Sequence, residues 1–175
     1  MKDFSELISV RRSHRKFTEE PVGQDDLKRI LRSALMAPSS KGMHSYAFAC
    51  VTDRAKLEAL AQCKDMGAEL IAGAAAAIVV LGEPAVSDAW IEDGSVAATM
   101  MLLQAEDLGL GACWVQVRER KDREGRLAED NVRQLLGIPE DMRVLCIVAL
   151  GHKGSERKPQ NEERLKWERV HGEQW

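Results

Sequence analysis

The chain has 175 residues, of which 45% are hydrophobic and 30% charged, and its formal net charge is −3. This composition is typical of a soluble globular protein, and the length fits one domain over residues 1–175. The small negative charge argues against nucleic acid as the main partner. The central apolar run is far shorter than the roughly 20 residues that cross a bilayer, and the start lacks the apolar stretch of a signal peptide. We therefore expect a cytoplasmic protein without a membrane partner.

The first third of the chain alternates helical patterns with polar connectors. A short helix is predicted near residues 4–8. Apolar residues at helical spacing predict an amphipathic helix that begins at Asp25 or Asp26 and ends before Pro38. A polar loop follows, and residues 46–51 have the composition of a strand.

The middle third contains the most apolar segments of the chain. Thr52 or Asp53 is expected to cap a helix, and residues 66–73 to form another short one. A buried strand is predicted at 77–81, followed by the longest helix, from Asp88 to Leu108. This helix is apolar on nearly every side between residues 96 and 103, so it must be covered all round. Either it lies at the centre of the core or it forms part of a subunit interface.

The last third returns to alternating elements. Strands are predicted at 112–117 and 144–150, with a helix that closes at Gly137 between them. The charged residues 118–131 are expected to form solvated surface. From Gly151 onward the chain is polar, which predicts a C-terminal arm with a short helix near residues 165–170. The alternation of helices and buried strands favours a central sheet with helices on both faces.

The cysteines and histidines do not form a metal-binding pattern. No Cys-x-x-Cys pair occurs, and no histidine stands at ligand spacing from a cysteine, so no metal site is expected. Three of the four cysteines lie in apolar, strand-like runs. We expect buried free thiols in a reducing compartment. The cysteines are Cys50, Cys63, Cys113 and Cys146.

The first candidate for chemistry is a basic cluster that follows the N-terminal helix. Guanidinium groups match the oxygens of a phosphate, and a serine hydroxyl adds a neutral donor. The alternative is a solvated basic turn, since short basic motifs are unspecific. The cluster consists of Arg11, Arg12, Ser13, His14, Arg15 and Lys16.

Three further segments are weak candidates when each is taken alone. The small residues of 37–42 suit a loop that approaches a ligand, or an ordinary linker. The glycines of 109–111 let a strand begin tightly after a helix, and their order differs from that of a dinucleotide fingerprint. Residues 151–159 follow the last strand and add cations.

Together, in this order and spacing, these segments resemble the nitroreductase family. The matching residues are Arg11–Phe17 with Pro21–Val22, Ala37–Ser40, Asp93–Ala98, Glu106–Trp114, Leu136–Pro139 and Ala149–His152, and the tail Glu163–His171 resembles that of a short subgroup. The resemblance covers nearly the whole chain. It implies an α+β fold, a three-layer α/β/α sandwich around a mixed and mainly antiparallel sheet, with a C-terminal arm at residues 151–175.

The resemblance also implies a cofactor and its contacts. FMN would be bound at the interface of a homodimer. Its phosphate, its ribityl chain and the pyrimidine side of its ring would be held by Arg11, Arg12, Ser13 and Arg15, and Arg157 or Lys158 would reach the phosphate. The partner subunit would contribute its Ser-rich loop, Pro38, Ser39 and Ser40. A backbone N–H of the predicted strand 112–117 would lie near flavin N5, where it stabilises the reduced ring. The implied contacts are Arg11, Arg12, Ser13, Arg15, Pro38, Ser39, Ser40, Val115, Gln116 and Val117.

The implied reaction needs no catalytic side chain and no metal. NADH or NADPH would deliver hydride to flavin N5 and leave, and a nitroaromatic, quinone or similar small acceptor would then be reduced at the same face. The chain departs from many family members where a Gln-Pro-Trp run is common, because it has His44-Ser45-Tyr46. His44 and Tyr46 are therefore candidate substrate contacts. The alternative for His44 is an exposed loop histidine without a special role. A flavin carrier or sensor without turnover is the alternative function, and a domain that binds an anionic partner without flavin is a further one.

Overall fold

The computed structural model describes residues 3–175, with five α-helices and four β-strands in that range. The helices are α1 (Phe4–Val10), α2 (Gln24–Leu35), α3 (Arg54–Leu60), α4 (Trp90–Asp107) and α5 (Ala128–Leu136). The strands are β1 (Tyr46–Val51), β2 (Ala76–Gly82), β3 (Leu110–Gln116) and β4 (Arg143–His152). Short 3₁₀ turns lie at Ser40–Gly42, Glu69–Gly73, Glu162–Arg164 and Trp167–Arg169.

The four strands form one sheet in the order β1-β2-β4-β3, and every neighbouring pair is antiparallel. Within residues 3–175, parallel pairing occurs only as an isolated bridge between Ser13 and Ala112. This confirms the α+β class and the mainly antiparallel sheet. β4 is buried from Val144 to Gly151, as expected of a central strand whose two faces are both covered.

Helices cover both faces of the sheet. On one face α2 and α4 bury Ile30, Met101 and Val148, and on the other α3 and α5 bury Leu57, Val132 and Ile147. Strand residues alternate between these two cores because successive side chains point to opposite faces of a strand. The expected layer of helices on each side of a central sheet is therefore observed.

Several helix ends follow the local chemistry of the sequence. The Asp53 carboxylate accepts a hydrogen bond from the Lys56 N–H at 2.9 Å, which caps α3 as expected. Gly137 ends α5 with φ of 66°, a conformation that glycine adopts without steric cost.

Some sequence expectations were wrong or imprecise. Cys50 is exposed, because β1 is an edge strand of the sheet and has a strand neighbour on one side only. The helix expected at 66–73 is a 3₁₀ turn, Glu69–Gly73, and β3 begins two residues earlier than expected, at Leu110.

The helix expected to be covered on every side is only partly covered within one chain. Ala97, Ala98 and Met101 are fully buried, but Val96 is 40% exposed and Thr99 is exposed as well. One side of this helix therefore lies in the core, as the first alternative expected, and the other side is open; the subunit interface stays a prediction. Among the helices in residues 3–175, none has the length and apolar character needed to cross a membrane.

Candidate functional site

The basic segment after α1 is attached to the ends of β3 and β4. The His14 N–H donates to the Ala112 carbonyl at 2.9 Å, next to the bridge between Ser13 and Ala112. Three residues later, Phe17 bridges Lys153 in the antiparallel sense. The strands therefore fix the path of the segment at both of its ends.

Two glycines make room for this segment. A Cβ atom on Gly111 would lie 2.9 Å from the Cβ of His14, and one on Gly151 would lie 2.9 Å from Cδ1 of Phe17. Contacts below 3.0 Å force a displacement. Gly111 thus serves close approach of the basic segment, while Gly109, with φ of 77°, serves the tight start of β3.

Cations and a hydroxyl lie near Cys113. Burial, the largest influence, raises the pKa of the Cys113 thiol, while Arg15, a Ser13 hydrogen bond, Lys64 and Arg11 act in the opposite direction. We call Arg11, Ser13, Arg15 and Lys64 the basic cradle. The structure thus brings together three residues of the predicted set and adds Lys64.

Lys64 was missed by the sequence reasoning because nothing around it is distinctive. It follows α3 in a turn, yet its ammonium group donates to the Gln116 carbonyl at 2.8 Å on β3. Burial lowers the pKa of Lys64. Only the three-dimensional contact with β3 links this residue to the cradle.

The arm returns to the same region through Arg157. Arg157 is close enough to lower the pKa of His14, after the larger effects of burial and Lys153. Arg12 donates through Nη1 to the carbonyls of Lys158 at 2.6 Å and Pro159 at 3.2 Å. That nitrogen of Arg12 therefore holds the arm, and a contact with FMN would fall to its other nitrogens.

A partly buried ion pair lies next to the basic segment. Lys153 Nζ lies 2.6 Å from Glu106 Oε1, and the Glu106 side chain is only 4% exposed. His14, itself 3% exposed, packs beside this pair, and its Nδ1 is buried without a hydrogen-bond partner in the part of the chain that the structure describes. The basic segment is thus flanked, at His14, by a carboxylate that is almost fully buried.

In the part of the chain that the structure describes, the outer edge of β3 has no strand neighbour beyond Ala112, and Lys64 binds its Gln116 carbonyl. The N–H and carbonyl groups of every second residue point to the same edge of a strand. Because the Ala112 carbonyl points outward, the N–H and carbonyl groups of Trp114 and Gln116 point outward as well. The Val115 and Val117 side chains are instead buried in the core with α3 and α5, and the Val117 N–H donates to the Leu145 carbonyl. Of the three residues predicted near the flavin, Val115, Gln116 and Val117, Gln116 is the one whose N–H faces outward.

The Ser-rich loop before β1 is fixed by a buried carboxylate. Asp93, in the first turn of α4 and 4% exposed, accepts from the Ser40 N–H at 2.7 Å and from the Ser45 hydroxyl at 3.1 Å. Lys41 and His44 have φ of 51° and 47°, in the left-handed region that costs a non-glycine residue free energy. Asp93 was missed as a site residue because an acid in a first helical turn is ordinary.

His44 and Tyr46, the predicted substrate contacts, differ in exposure. Tyr46 is 7% exposed, and burial, followed by the charge of Asp93, raises the pKa of its hydroxyl. Its Oη donates to the Ala37 carbonyl at 2.8 Å and lies 2.8 Å from His44 Nδ1. His44 itself is exposed, so Tyr46 supports His44 from the core and His44 is the residue that a ligand can reach.

The two parts of the predicted site lie at opposite ends of α4. The Ser-rich loop is bound to Asp93, whereas the basic segment rests on the ion pair of Glu106. These residues are 13 positions apart on one helix, which at 1.5 Å per residue separates them by about 20 Å. In one chain, therefore, the loop and the basic segment are attached to opposite ends of this helix.

The sequence matches the model of the nitroreductase family over residues 8–67 and 59–152. The chain belongs to the nitroreductase family. A protein of Archaeoglobus fulgidus with the provisional name NADH dehydrogenase/NAD(P)H nitroreductase is 33% identical, with all of both chains covered. An FMN-dependent nitroreductase from Clostridium difficile R20291 has 38% identity and a TM-score of 0.94, covering 97% of this chain and 98% of its own. An NADPH-flavin oxidoreductase of Vibrio harveyi is 28% identical over 94% of this chain and 71% of its own.

Proposed function

We propose that this nitroreductase-family protein is an FMN-dependent oxidoreductase. It uses NAD(P)H to reduce a nitroaromatic, quinone or similar small acceptor by a ping-pong mechanism. The observation that carries this proposal is the basic cradle, which lies beside the open edge of β3. The names of the Clostridium difficile and Vibrio harveyi relatives, which mention FMN and flavin, agree with it.

The cradle fits the phosphate end of FMN. Two guanidinium groups, the Lys64 ammonium and the Ser13 hydroxyl supply donors and positive charge for a dianionic phosphate. Arg157 reaches the same region from the arm, and Lys158 follows it on the exposed surface. These residues would bind and orient the cofactor.

The outward N–H groups of Trp114 and Gln116 fit the ring end. A backbone donor beside flavin N5 stabilises negative charge on the reduced ring, and the edge of β3 offers two such donors. The bound FMN supplies the hydride chemistry. No catalytic side chain is assigned, and within residues 3–175 no group of three or more His, Cys, Asp and Glu residues could hold a metal ion.

We further propose that the active form is a homodimer. Asp93, which binds the loop of Pro38, Ser39 and Ser40, lies about 20 Å along α4 from Glu106. The loop would therefore reach the flavin of the partner subunit. Phe4, Ile8 and Val96 are exposed large apolar residues on α1 and α4, 67%, 47% and 40% exposed. Their burial between two copies would cover the open side of α4.

The remaining expectations stay part of this proposal. Residues 1–175 would form one FMN-binding domain, whose partners are small molecules and a second copy of itself. The site would work in the cytoplasm without nucleic acid or membrane.

Replacing the cradle arginines tests the cofactor assignment. Arg11→Ala and Arg15→Ala should each weaken FMN binding by about 10- to 100-fold, since a charge-assisted hydrogen bond contributes about 1.5–3 kcal/mol. Flavin fluorescence titration of the flavin-free protein measures this. Arg29→Ala, at an exposed position on α2, is the matched control and should bind FMN normally.

The result has three clear outcomes. Equal affinity in all variants would remove the phosphate assignment, and a purified chain that is colourless and takes up no FMN would defeat the proposal. If FMN binds but neither NADH nor NADPH reduces it, and no quinone is reduced, the protein would be a flavin carrier or sensor instead.

A further inference from the structure

The hydrogen bonds of Tyr46 determine where His44 carries its proton. The Ala37 carbonyl can only accept, so the 2.8 Å contact with Tyr46 uses the single hydroxyl proton of Tyr46. Tyr46 Oη can then offer only a lone pair to His44 Nδ1, 2.8 Å away. His44 Nδ1 must therefore be the donor, and a neutral His44 has its lone pair on Nε2.

The backbone around His44 is held in a conformation that it would not adopt freely. His44 has φ of 47°, and its N–H donates to the Ser39 hydroxyl oxygen at 2.9 Å. On either side of this contact, Ser40 and Ser45 are bonded to the buried Asp93. A strained residue persists only where its surroundings over-determine it, and such residues cluster at functional sites.

The His44 ring is thus held through its Nδ1 contact with Tyr46, and the rest of the ring is accessible to solvent. In the described part of the chain, His44 Nε2 has no hydrogen-bond partner, and the residue is exposed. A neutral imidazole fixed in this tautomer accepts a hydrogen bond at Nε2 and cannot donate one there. A ligand that meets this atom is favoured if it brings a donor.

We propose that His44 Nε2 selects electron acceptors that carry a hydroxyl or N–H group, and that Tyr46 and Asp93 are the residues that position it. This rests on the proposed function, because it takes the Ser-rich loop as a wall of the acceptor site. His44 would recognise a substituent of the acceptor, and this substituent is distinct from the nitro or quinone group that is reduced. An acceptor without a donor leaves the Nε2 lone pair unsatisfied or forces the ring to exchange its proton.

Two nitroaromatics of similar size test the selection. 4-Nitrobenzyl alcohol carries a hydroxyl where 4-ethylnitrobenzene carries a methyl group, and the reacting nitro group is the same. The preference is measured as kcat/KM for the alcohol divided by kcat/KM for the ethyl compound. In the flavin-loaded native dimer, this preference should be roughly two- to tenfold larger than in His44→Phe, the range for one hydrogen bond. The gain should lie in KM, with kcat little changed.

A second measurement needs no flavin and no turnover. In ¹⁵N NMR of the flavin-free chain above neutral pH, native His44 should show the Nδ1–H tautomer, and Tyr46→Phe should shift it towards Nε2–H. The same Tyr46→Phe variant should lose most of the preference for the alcohol, and Asp93→Asn should lose part of it. Circular dichroism of each variant confirms that it is folded.

The outcomes separate this inference from the proposed function. A native Nε2–H tautomer, or an equal preference in His44→Phe, overturns the selection even if the protein is an active flavoenzyme. A chain that binds no FMN defeats the proposed function and the acceptor selection with it, while the NMR spectrum still decides the tautomer independently.

Discussion

The two ends of α4 hold two halves of the proposed site in different ways. Asp93 and Glu106 are both almost fully buried, yet Asp93 receives neutral donors from a loop, whereas Glu106 pairs with the cation of Lys153. At the Asp93 end the loop contains two non-glycine residues in the left-handed region, Lys41 and His44. At the Glu106 end the basic segment has no such residue, and glycines in the strands make the room that it needs.

One helix therefore positions two unlike surfaces by different physical means. The loop end keeps strain in the backbone and depends on hydrogen bonds to maintain it. The cradle end removes Cβ atoms from the sheet, so the segment follows its path by close packing. The loop should therefore be sensitive to the loss of an acceptor, and the cradle to added volume.

The largest effect is expected at the loop end. Asp93→Ala removes the acceptor of the Ser40 N–H and the fully buried Ser45 hydroxyl, and should lower the free energy of unfolding by about 3 kcal/mol. Asp93→Asn should lose less, because its amide oxygen still accepts one bond. Urea denaturation measures both. Glu92→Ala, at the exposed neighbouring acid of the same helical turn, should be nearly neutral, and a similar loss in it would contradict this account.

A smaller effect is expected where volume is added at the cradle end. Gly111→Ala puts a methyl group 2.9 Å from the Cβ of His14 and should cost about 1–3 kcal/mol, the range for overpacking. It should also weaken FMN binding, because Ser13 and Arg15 move with the segment. Gly73→Ala is the control, since no atom lies within 4 Å of its added Cβ. Unchanged flavin affinity in Gly111→Ala would show that the path of the segment is unimportant.

The smallest effect should appear as a pH dependence at His14. Burial, and then Lys153, lower its pKa, Glu106 opposes them, and Arg157 adds to the lowering. The unfolded chain, with a histidine pKa of about 6.5, then binds the proton more readily than the folded one. Stability is therefore full above about pH 6.5 and falls as the pH drops towards the lowered folded value.

His14→Leu isolates this contribution from other titrating groups. The variant has no histidine at position 14 that can bind a proton. As the pH is lowered from about 7.5 to 5, its free energy of unfolding should therefore rise relative to that of the native chain. Denaturant unfolding at several pH values gives the difference. A constant difference across that range would mean that His14 titrates alike in both states.

The sequence predicted the elements well where its signals are local. Asp53, Gly137 and the strand Tyr46–Val51 follow from capping, glycine conformation and composition, and each was confirmed. Lys64 and Asp93 were missed because their importance comes from contacts with residues about 50 positions away. Cys50 was wrongly expected to be buried, since an apolar strand pattern does not show which strand lies at the edge.

Arg12 binds only main-chain oxygens among the hydrogen bonds of the described residues. Its two partners are main-chain oxygens of residues 158 and 159, and the Gln160 N–H donates in turn to the Ser9 carbonyl. A carbonyl is present whatever the side chain. The attachment of the arm should thus tolerate nearly any residue at position 158 that keeps the chain path, while position 12 should accept little other than a guanidinium.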